Sequence, residues 1–254
     1  MILELVTIII ICVILSSVTY YKGMLNIGGS VTAFGIGIII GVFGGIEWIL
    51  LLLIFLGSAF VATRYKFNYK KEHGFQEGKK GERGTVNVLA NGLVPMFLAF
   101  LHNPANSLNP LDTGLFPYKI VAFLFITSVA CAASDTLASE MGILSDKTYL
   151  ITSFERVEPG TNGGISLYGE TWALIGAAYT LGVSFLVFYL LEGVFIEPSL
   201  MLFGVSIGFI SCQIDSILGA LLERKGLIGK STVNLLAVSV SIIIAGAILW
   251  LIKF

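Results

Sequence analysis

Long apolar segments recur along the whole chain, and they constrain its fold more than any other feature. Most of them approach the roughly 20 residues that an α-helix needs to cross a bilayer. The segments cover about residues 2–20, 27–42, 46–63, 85–101, 118–134, 171–191, 199–222 and 233–252. Charged residues make up only 12% of the chain, whereas an average soluble domain has about 25%. The sequence therefore predicts an all-α, polytopic membrane helix bundle of about eight transmembrane helices, forming one domain over residues 1–254.

Two of these segments allow more than one arrangement. The second is short and rich in glycine, and the fourth contains Pro95. The second segment is shorter than the roughly 20 residues of a full crossing, and the proline in the fourth removes a helix hydrogen bond. Both segments therefore leave open a broken or re-entrant helix in place of a full crossing. The first segment has no basic residues before it and carries Glu4, so we expect a retained helix and not a cleaved signal peptide.

The Lys and Arg residues predict the orientation of the bundle. With the N-terminus outside, the outer side keeps only Lys119 and Lys253. The inner loops then hold Lys22, the seven basic residues of 64–83, Lys147, Arg156, Arg224, Lys225 and Lys230. Since such an excess marks the cytoplasmic side, we expect a multi-pass protein whose polar loops face the cytoplasm.

Net charge and cysteine content exclude other classes of protein. A formal net charge of −1 indicates no nucleic-acid partner. Cys12, Cys131 and Cys212 all fall in apolar segments, where they are predicted to be small buried hydrophobic residues and not a metal cluster or a disulfide framework.

The stretch Ser-Asp-Thr-Leu-Ala-Ser-Glu-Met-Gly at 134–142 directly follows the fifth apolar segment. It places Asp135, Ser139 and Glu140 at or just inside a helix end. An Asp at the centre of a membrane helix costs about 2.5–3.5 kcal/mol, and less near the ends, so a bound cation is the simplest compensation. The alternative is an Asp that caps a neighbouring helix or pairs with a buried Arg.

A second polar group begins the fourth segment. Arg83, Asn87 and Asn91 are spaced four residues apart, so a helix beginning at Arg83 places them on one face. Lys79 and Lys80 precede them in a glycine-rich setting that suits phosphate oxygens. The alternative is a juxtamembrane basic segment that contacts anionic lipid, although this leaves the two Asn residues unexplained.

A third group is Pro-Gly-Thr-Asn-Gly-Gly at 159–164, which follows a strand-like run at 151–157. Thr161, Asn162, Gly163 and Gly164 could present backbone N–H groups to an anion. Asn-Gly is also a strong hairpin signal, so a plain hairpin turn is the alternative. Either way, the long loop is predicted to contain a short strand or hairpin on the cytoplasmic side.

A fourth group lies in the seventh segment, where Asp215, Ser216, Gly219 and Glu223 contribute to a small, polar helix face. A single Asp bonded to its helix backbone is the alternative explanation. Asn234 follows Ser-Thr and is expected near a helix start.

Two intramembrane carboxylates favour a shared metal site. Asp135 and Asp215 are the leading ligands for Mg²⁺, or Mn²⁺, and Glu140 is the third candidate. Asp135 and Glu140 are five residues apart, so both would bind one ion only if the helix breaks between them.

Four ordered stretches resemble the phytyl-phosphate kinase family of integral membrane proteins. They are Ala-Asn-Gly at 90–92, Ser-Asp-Thr-Leu-Ala-Ser-Glu-Met-Gly at 134–142, Pro-Gly-Thr-Asn-Gly-Gly-Ile-Ser at 159–166 and Asp-Ser-Ile-Leu-Gly-Ala at 215–220. The resemblance implies phosphorylation of an isoprenoid monophosphate, such as phytyl or geranylgeranyl phosphate, by a nucleoside triphosphate, with CTP as donor. It also implies a distant likeness to CTP-dependent lipid kinases and phosphatidate cytidylyltransferases. The family's polar positions fall on Arg83, Asn91, Asp135, Ser139, Glu140, Asn162, Asp215, Glu223 and Asn234.

The residues and the resemblance together predict a Mg²⁺-dependent lipid monophosphate kinase. Lys79, Lys80 and Arg83 would neutralise the transferring phosphate, and the prenyl tail would lie along the small-residue faces of the fifth and seventh helices. Two alternatives stay open, a cytidylyltransferase that makes a CDP-lipid and a transporter of an ion or lipid phosphate.

Overall fold

The computed structural model of the protein describes residues 2–78, 80–102, 118–192 and 197–252. The helices are α1 (Ile2–Tyr21), α2 (Ile27–Gly44), α3 (Ile46–Arg64), α4 (Phe67–Glu72), α5 (Thr85–His102), α6 (Tyr118–Gly142), α7 (Leu167–Glu192), α8 (Pro198–Leu218) and α9 (Lys230–Leu251). A π-helical turn, Gly219–Glu223, continues α8. Within the described residues, eight helices are long and apolar enough to cross a membrane, and α4 is the short exception.

The predicted all-α bundle of about eight membrane helices is therefore confirmed. Helices α2 and α5 are continuous, so neither is broken. Pro95 lies inside α5 without ending it.

Helix α6 is the centre of the bundle, and its apolar portion is entirely buried. Its small residues admit two neighbouring helices at close range. A Cβ atom on Gly176 of α7 would lie 2.8 Å from the Ala133 carbonyl oxygen, and one on Gly208 of α8 would lie 3.5 Å from the Ala130 carbonyl oxygen. Small residues serve helix packing in this way throughout membrane proteins. Neighbouring helices therefore contact α6 directly at these two positions, while the expectation that a prenyl tail lies along the small-residue faces of α6 and α8 stays a prediction.

Helix α6 also continues without a break through the 134–142 motif and ends at Gly142. Residues five apart on a regular helix are rotated by about 140°. Asp135 and Glu140 therefore point in different directions, toward different neighbouring elements.

A small sheet lies in the long loop between α6 and α7. Its strands β1 (Thr148–Leu150), β2 (Arg156–Val157) and β3 (Gly164–Ile165) are antiparallel, in the order β2-β1-β3. The predicted short strand or hairpin in this loop is confirmed.

The position predicted for the strand is correct only for its last two residues, which form β2. Most of the run 151–157 forms the turn between β1 and β2, where Phe154 adopts φ 56° and its N–H donates to the Leu150 carbonyl. Asn162 and Gly163 precede β3, which pairs with β1 and not with β2. The Asn-Gly pair therefore joins two strands that flank a third, and it is not a two-residue hairpin turn.

The two ends of the bundle differ in character. One end, which we call the polar end, is formed by the loops 65–84, 143–166 and 224–229. Far from it, Trp48 packs against Phe125 and Phe188, with ring centroids 4.1 and 6.4 Å away. All three side chains are buried, so aromatic side chains pack together in this part of the bundle.

Candidate functional site

A polar cavity of about 270 Å³ opens at the polar end of the bundle. Helices α6 and α8, the π-helical turn, the start of α9 and the small sheet surround it. The sequence-predicted residues that line it are Asp135, Ser139, Glu140, Thr161, Asn162, Gly163, Gly164, Asp215, Ser216 and Glu223. The structure thus brings three of the four predicted polar groups to one cavity, while the roles of these residues stay predictions.

A pair of carboxylates lies at the buried side of this cavity. The side chain of Asn234 donates from Nδ2 to Oδ2 of Asp135 over 3.1 Å. The carboxyl groups of Asp135 and Asp215 are close enough to interact directly. Asp215 Oδ2 and Asn234 Oδ1 are buried and have no hydrogen-bond partner among the described residues. These acceptor oxygens remain available to a cation or a hydrogen-bond donor from outside the protein.

Asn234 does not occupy a helix start. Helix α9 begins at Lys230, which places Asn234 one turn inside the helix, where its amide contacts Asp135.

Glu140 lies in a different environment from Asp135. Its carboxylate accepts from the Thr63 hydroxyl and from Lys70 Nζ, each over 2.7 Å. Arg83 Nη2 lies 3.7 Å away. The Lys70 side chain is only 1% exposed and also donates to the Ala62 carbonyl oxygen. The protein itself therefore neutralises Glu140.

The predicted cluster of three metal-binding carboxylates does not form. Across the described ranges, no group of three His, Cys, Asp or Glu side chains is placed to hold a metal ion. The reason is the continuous α6 helix, which turns Glu140 away from Asp135.

The pair of Asp135 and Asp215 still fits a divalent cation. Mg²⁺ commonly binds to one or two protein carboxylates and takes its other oxygen ligands from water and substrate phosphates. The described lining of the cavity contains six carboxylates and one ammonium group. The unpartnered Asp215 oxygen and this excess of negative charge both suit a cation.

Lys230 is the ammonium group in that lining, and it bridges to the loop before α5. Its Nζ donates to Glu77 Oε1 over 3.0 Å, and Asn87 donates from Nδ2 to Glu77 Oε2 over 3.3 Å. Burial raises the pKa of Glu77, but the charges of Lys230 and Arg83 outweigh it and hold that pKa below its ordinary value.

Sequence reasoning gave Lys230, Glu77 and Lys70 no role in the site. Lys230 carried a usable signal, since it precedes Asn234 by four residues and so shares its helix face. Glu77 and Lys70 lie in the basic segment between α3 and α5. Their positions depend on how that segment folds, and no sequence spacing pointed to a role for them.

Backbone hydrogen bonds hold Arg83 in place. Its N–H donates to the Met24 carbonyl, and its own carbonyl accepts from the Asn26 N–H, both over 3.0 Å. A Cβ atom on Gly29 would lie 2.6 Å from the Arg83 carbonyl oxygen. Only glycine therefore lets α2 approach this segment so closely.

A helix beginning at Arg83 is not observed, because α5 begins at Thr85 and Arg83 pairs with Leu25 in extended backbone before it. Arg83, Asn87 and Asn91 nevertheless line the same cavity. The Asn91 side chain donates from Nδ2 to the Asn87 carbonyl over 2.9 Å, and Arg83 and Asn87 lie toward the same side. Lys80 is exposed and lies outside the lining of the polar cavity. Lys79 lies outside the described residues.

The glycine-rich loop packs against the π-helical turn. Gly163 has φ 78°, and a Cβ atom there would lie 2.6 Å from the Ala220 N atom. The Gly164 N–H donates to the Thr161 carbonyl over 2.8 Å, so this N–H is used within the loop and not for an anion. Single π-helical turns are frequent at functional sites, and this one carries Glu223 into the cavity lining.

Together, the fold and the site define a polytopic helical membrane protein with an acid-lined cavity at one end of the bundle. The chain belongs to the family described as Integral membrane protein DUF92, whose model matches residues 10–246. The family relationship inferred from the four sequence stretches is confirmed.

Three relatives show how far the similarity extends. An uncharacterized membrane protein of Methanocaldococcus jannaschii, MJ0933, is 36% identical over 94% of this chain and 91% of its own length. Protein PGR of Arabidopsis thaliana is 30% identical over 86% of this chain and 80% of its own. The chloroplastic protein VTE6 of the same plant is 29% identical over 63% of this chain and 46% of its own. No solved structure gives a significant match.

Proposed function

We propose that this protein is a membrane-embedded kinase that transfers the γ-phosphate of a nucleoside triphosphate to a polyprenyl monophosphate, giving the diphosphate. The observation that carries the proposal is the carboxylate pair of Asp135 and Asp215, set in a cavity with Lys230 at its mouth. The resemblance to phytyl-phosphate kinases supports the substrate class and CTP as the donor.

Electrostatics explain why this cavity suits a nucleotide only together with a metal ion. The described lining carries six carboxylates and one ammonium group, which would repel a free triphosphate. Bound Mg²⁺ supplies the positive charge that neutralises the transferring phosphoryl group in such reactions. Asp135 and Asp215 would hold this ion.

The chain's own residues supply the remaining functions. Lys230 can exchange its bond with Glu77 for one with a phosphate oxygen, since its side chain is 50% exposed. Arg83 is buried beside Glu140 and adds fixed positive charge. A lipid phosphate already carries a nucleophilic oxygen, so the site needs positioning and charge stabilisation more than a strong general base.

Transport is the less favoured function, for a structural reason. Between the polar end and the buried aromatic side chains around Trp48, α6 packs tightly against α7 and α8. A transporter would place its ionisable residues along a path between the two membrane faces. The described carboxylates of the cavity gather at one end instead.

The decisive experiment is product analysis. Purified protein is incubated with Mg²⁺, labelled CTP or ATP, and a panel of prenyl monophosphates, with an Asp135→Asn protein as control. We expect a nucleoside diphosphate and a prenyl diphosphate. Release of pyrophosphate with a CDP-lipid would identify a cytidylyltransferase, and no consumption of either nucleotide would refute both enzymes.

We also propose that the polar end faces the cytoplasm, as the Lys and Arg distribution predicts. The described cysteines are buried, so single introduced cysteines can report orientation. Phe154→Cys, at an exposed loop position, should react with an impermeant thiol reagent only from the cytoplasmic side. Glu197→Cys, exposed before α8, should react only from the opposite side, and the reverse pattern would invert the topology.

A further inference from the structure

A second cavity lies between α1, α2, α3 and α5 and has a volume of about 120 Å³. Its walls are apolar over most of their area, and they include Cys12, Leu15, Phe34, Ile36, Ile49 and Leu52. Protein interiors are normally packed without voids larger than a water molecule. A space of this size is therefore an exception that a ligand could fill.

One end of this apolar cavity is polar. Arg83, Asn87 and Asn91 line it there. Asn91 is 8% exposed, and its Oδ1 atom is buried with no hydrogen-bond partner in the described part of the chain. A cation and two amides at the end of an apolar space match a ligand with an anionic head and a hydrocarbon body.

The two cavities meet at a shared wall. Asn87 donates to Glu77, and Arg83 Nη2 lies 3.7 Å from Glu140. Glu77 and Glu140 both line the acid-lined cavity on the other side. A phosphate held at Arg83 and Asn87 would therefore be adjacent to a nucleotide bound near Asp135.

The volume limits how much of a lipid can enter. An engineered apolar cavity of about 150 Å³ is known to hold one benzene molecule. A cavity of about 120 Å³ therefore holds about one five-carbon unit.

We propose that this cavity binds the isoprene unit next to the phosphate of the lipid acceptor. This inference rests on the proposed kinase function and deepens it. Arg83 and the Asn87 amide contact the phosphate, and Asn91 Oδ1 accepts a hydrogen bond from a P–OH group. The rest of the prenyl chain stays outside the cavity. The enzyme would therefore select for the branched first unit and tolerate different tail lengths.

The first test uses substrates. Geranyl and geranylgeranyl monophosphates should have kcat/KM values within about 3-fold of each other. An unbranched alkyl monophosphate of matched carbon number should be poorer by about 10-fold, because a missing methyl group in a hydrophobic pocket has an effect of that order. Equal use of branched and unbranched acceptors would overturn the proposal.

The second test fills the cavity. Ala33 lines it, and Ala33→Leu should raise the KM for prenyl monophosphate about 10-fold while leaving the KM for nucleotide unchanged. Gly35→Leu is the matched control on the same helix, since a Cβ atom at Gly35 meets nothing within 4 Å. Gly35→Leu should leave the KM for prenyl monophosphate and the KM for nucleotide unchanged. Ala33→Val serves as a milder filling variant if leucine at that position prevents folding.

The outcomes separate this inference from the kinase proposal. Suppose that the wild-type protein turns over prenyl monophosphates and that the position-33 and Gly35→Leu variants both keep its KM for the lipid. The cavity is then not the lipid site, and the kinase proposal is unaffected. If no nucleotide is consumed, thermal stabilisation by geranylgeranyl monophosphate alone replaces kinetics. Stabilisation of the wild-type and Gly35→Leu proteins but not of Ala33→Leu would support the site, and equal stabilisation of all three would overturn it.

Discussion

Asp135 and Glu140 lie in the same short motif on α6, yet their side chains have opposite electrostatic surroundings. Glu140 is surrounded by Lys70, Thr63 and Arg83, and its charge is balanced within the fold. Asp135 meets a second acid, Asp215, and an amide donor from α9.

The difference indicates which carboxylate belongs to the chemistry. A buried charge that the protein pairs itself contributes to structure. A buried charge left beside another of the same sign needs a cation from outside, because desolvated charges are costly unless paired. By this reasoning, we propose that Asp135 and Asp215 form the site and that Glu140 supports its wall.

The largest expected effect is loss of turnover on replacing Asp135. Asp135→Asn keeps the size and the contact with Asn234 but removes the charge that would hold Mg²⁺. We expect kcat to fall by at least about 10²–10³-fold, the effect of losing one electrostatic contact to a transition state. Asp215→Asn should behave similarly, and extra Mg²⁺ should restore little activity.

Stability measured on the same Asp135→Asn and Asp215→Asn preparations checks this assignment. The melting temperature should not fall, since neutralising one of two like charges removes a desolvation penalty. A destabilised Asp135→Asn protein with normal specific activity would remove this residue from the site.

The next effect concerns Glu140, and it should fall on stability. Glu140→Gln leaves the buried Lys70 ammonium without a counter-charge, and losing one partner of a buried ion pair costs about 3 kcal/mol or more. We expect a lower free energy of unfolding, with Lys70→Met in the same chain recovering part of it. Unchanged stability with lost turnover would mean that Glu140 is a ligand after all.

A smaller effect is expected at Lys230, whose pair with Glu77 is far more exposed than the pair of Lys70 and Glu140. If Lys230 binds phosphate, Lys230→Met should raise the KM for nucleotide about 10-fold, equivalent to about 1.4 kcal/mol. Lys230→Arg should recover most of this. Nucleotide kinetics unchanged in Lys230→Met would restrict this residue to its bond with Glu77.

The smallest effect is the pH dependence of the folding stability that ionised Glu77 contributes. Because its pKa is lowered in the folded state, ionised Glu77 contributes stability that is present above the ordinary Glu pKa of about 4.3. This contribution is lost as pH falls through the lowered value. Side-chain exposures of 50% for Lys230 and 29% for Glu77 limit it to under about 1 kcal/mol.

Unfolding free energies of wild-type and Glu77→Gln proteins would show this pH effect. They should differ near neutral pH and converge in acid. A difference that persists to about pH 3 would assign the contribution to something other than the Glu77 charge.

Much of the fold was predictable because hydrophobic segments in a membrane have little choice of structure. Backbone groups in lipid must bond within their own helix, so segment length and composition fix most helices. The ends of α6 were harder to predict. The polar motif at 134–142 suggested a helix terminus, but α6 stays helical to Gly142, and side chains of this segment bond to α7, α3 and α4.

The candidate site was predictable in its residue types and only partly in its arrangement. Asp135, Asp215 and Asn162 carry recognisable signals, and the structure places all three in one cavity. Lys70 and Glu77 carry no periodic signal. Their positions depend on how the loop before α5 folds back over the bundle.

The sequence by itself determined the membrane-embedded bundle, its family and the set of polar residues available for chemistry, because these follow from hydropathy and local motifs. Only the tertiary structure decided which carboxylates lie together, since that depends on the rotation of α6 and the approach of α8 and α9. It also decided where cavities remain. Small residues on α6 suggested space for a ligand, but α7 and α8 contact several of them, and an apolar cavity lies beside Arg83.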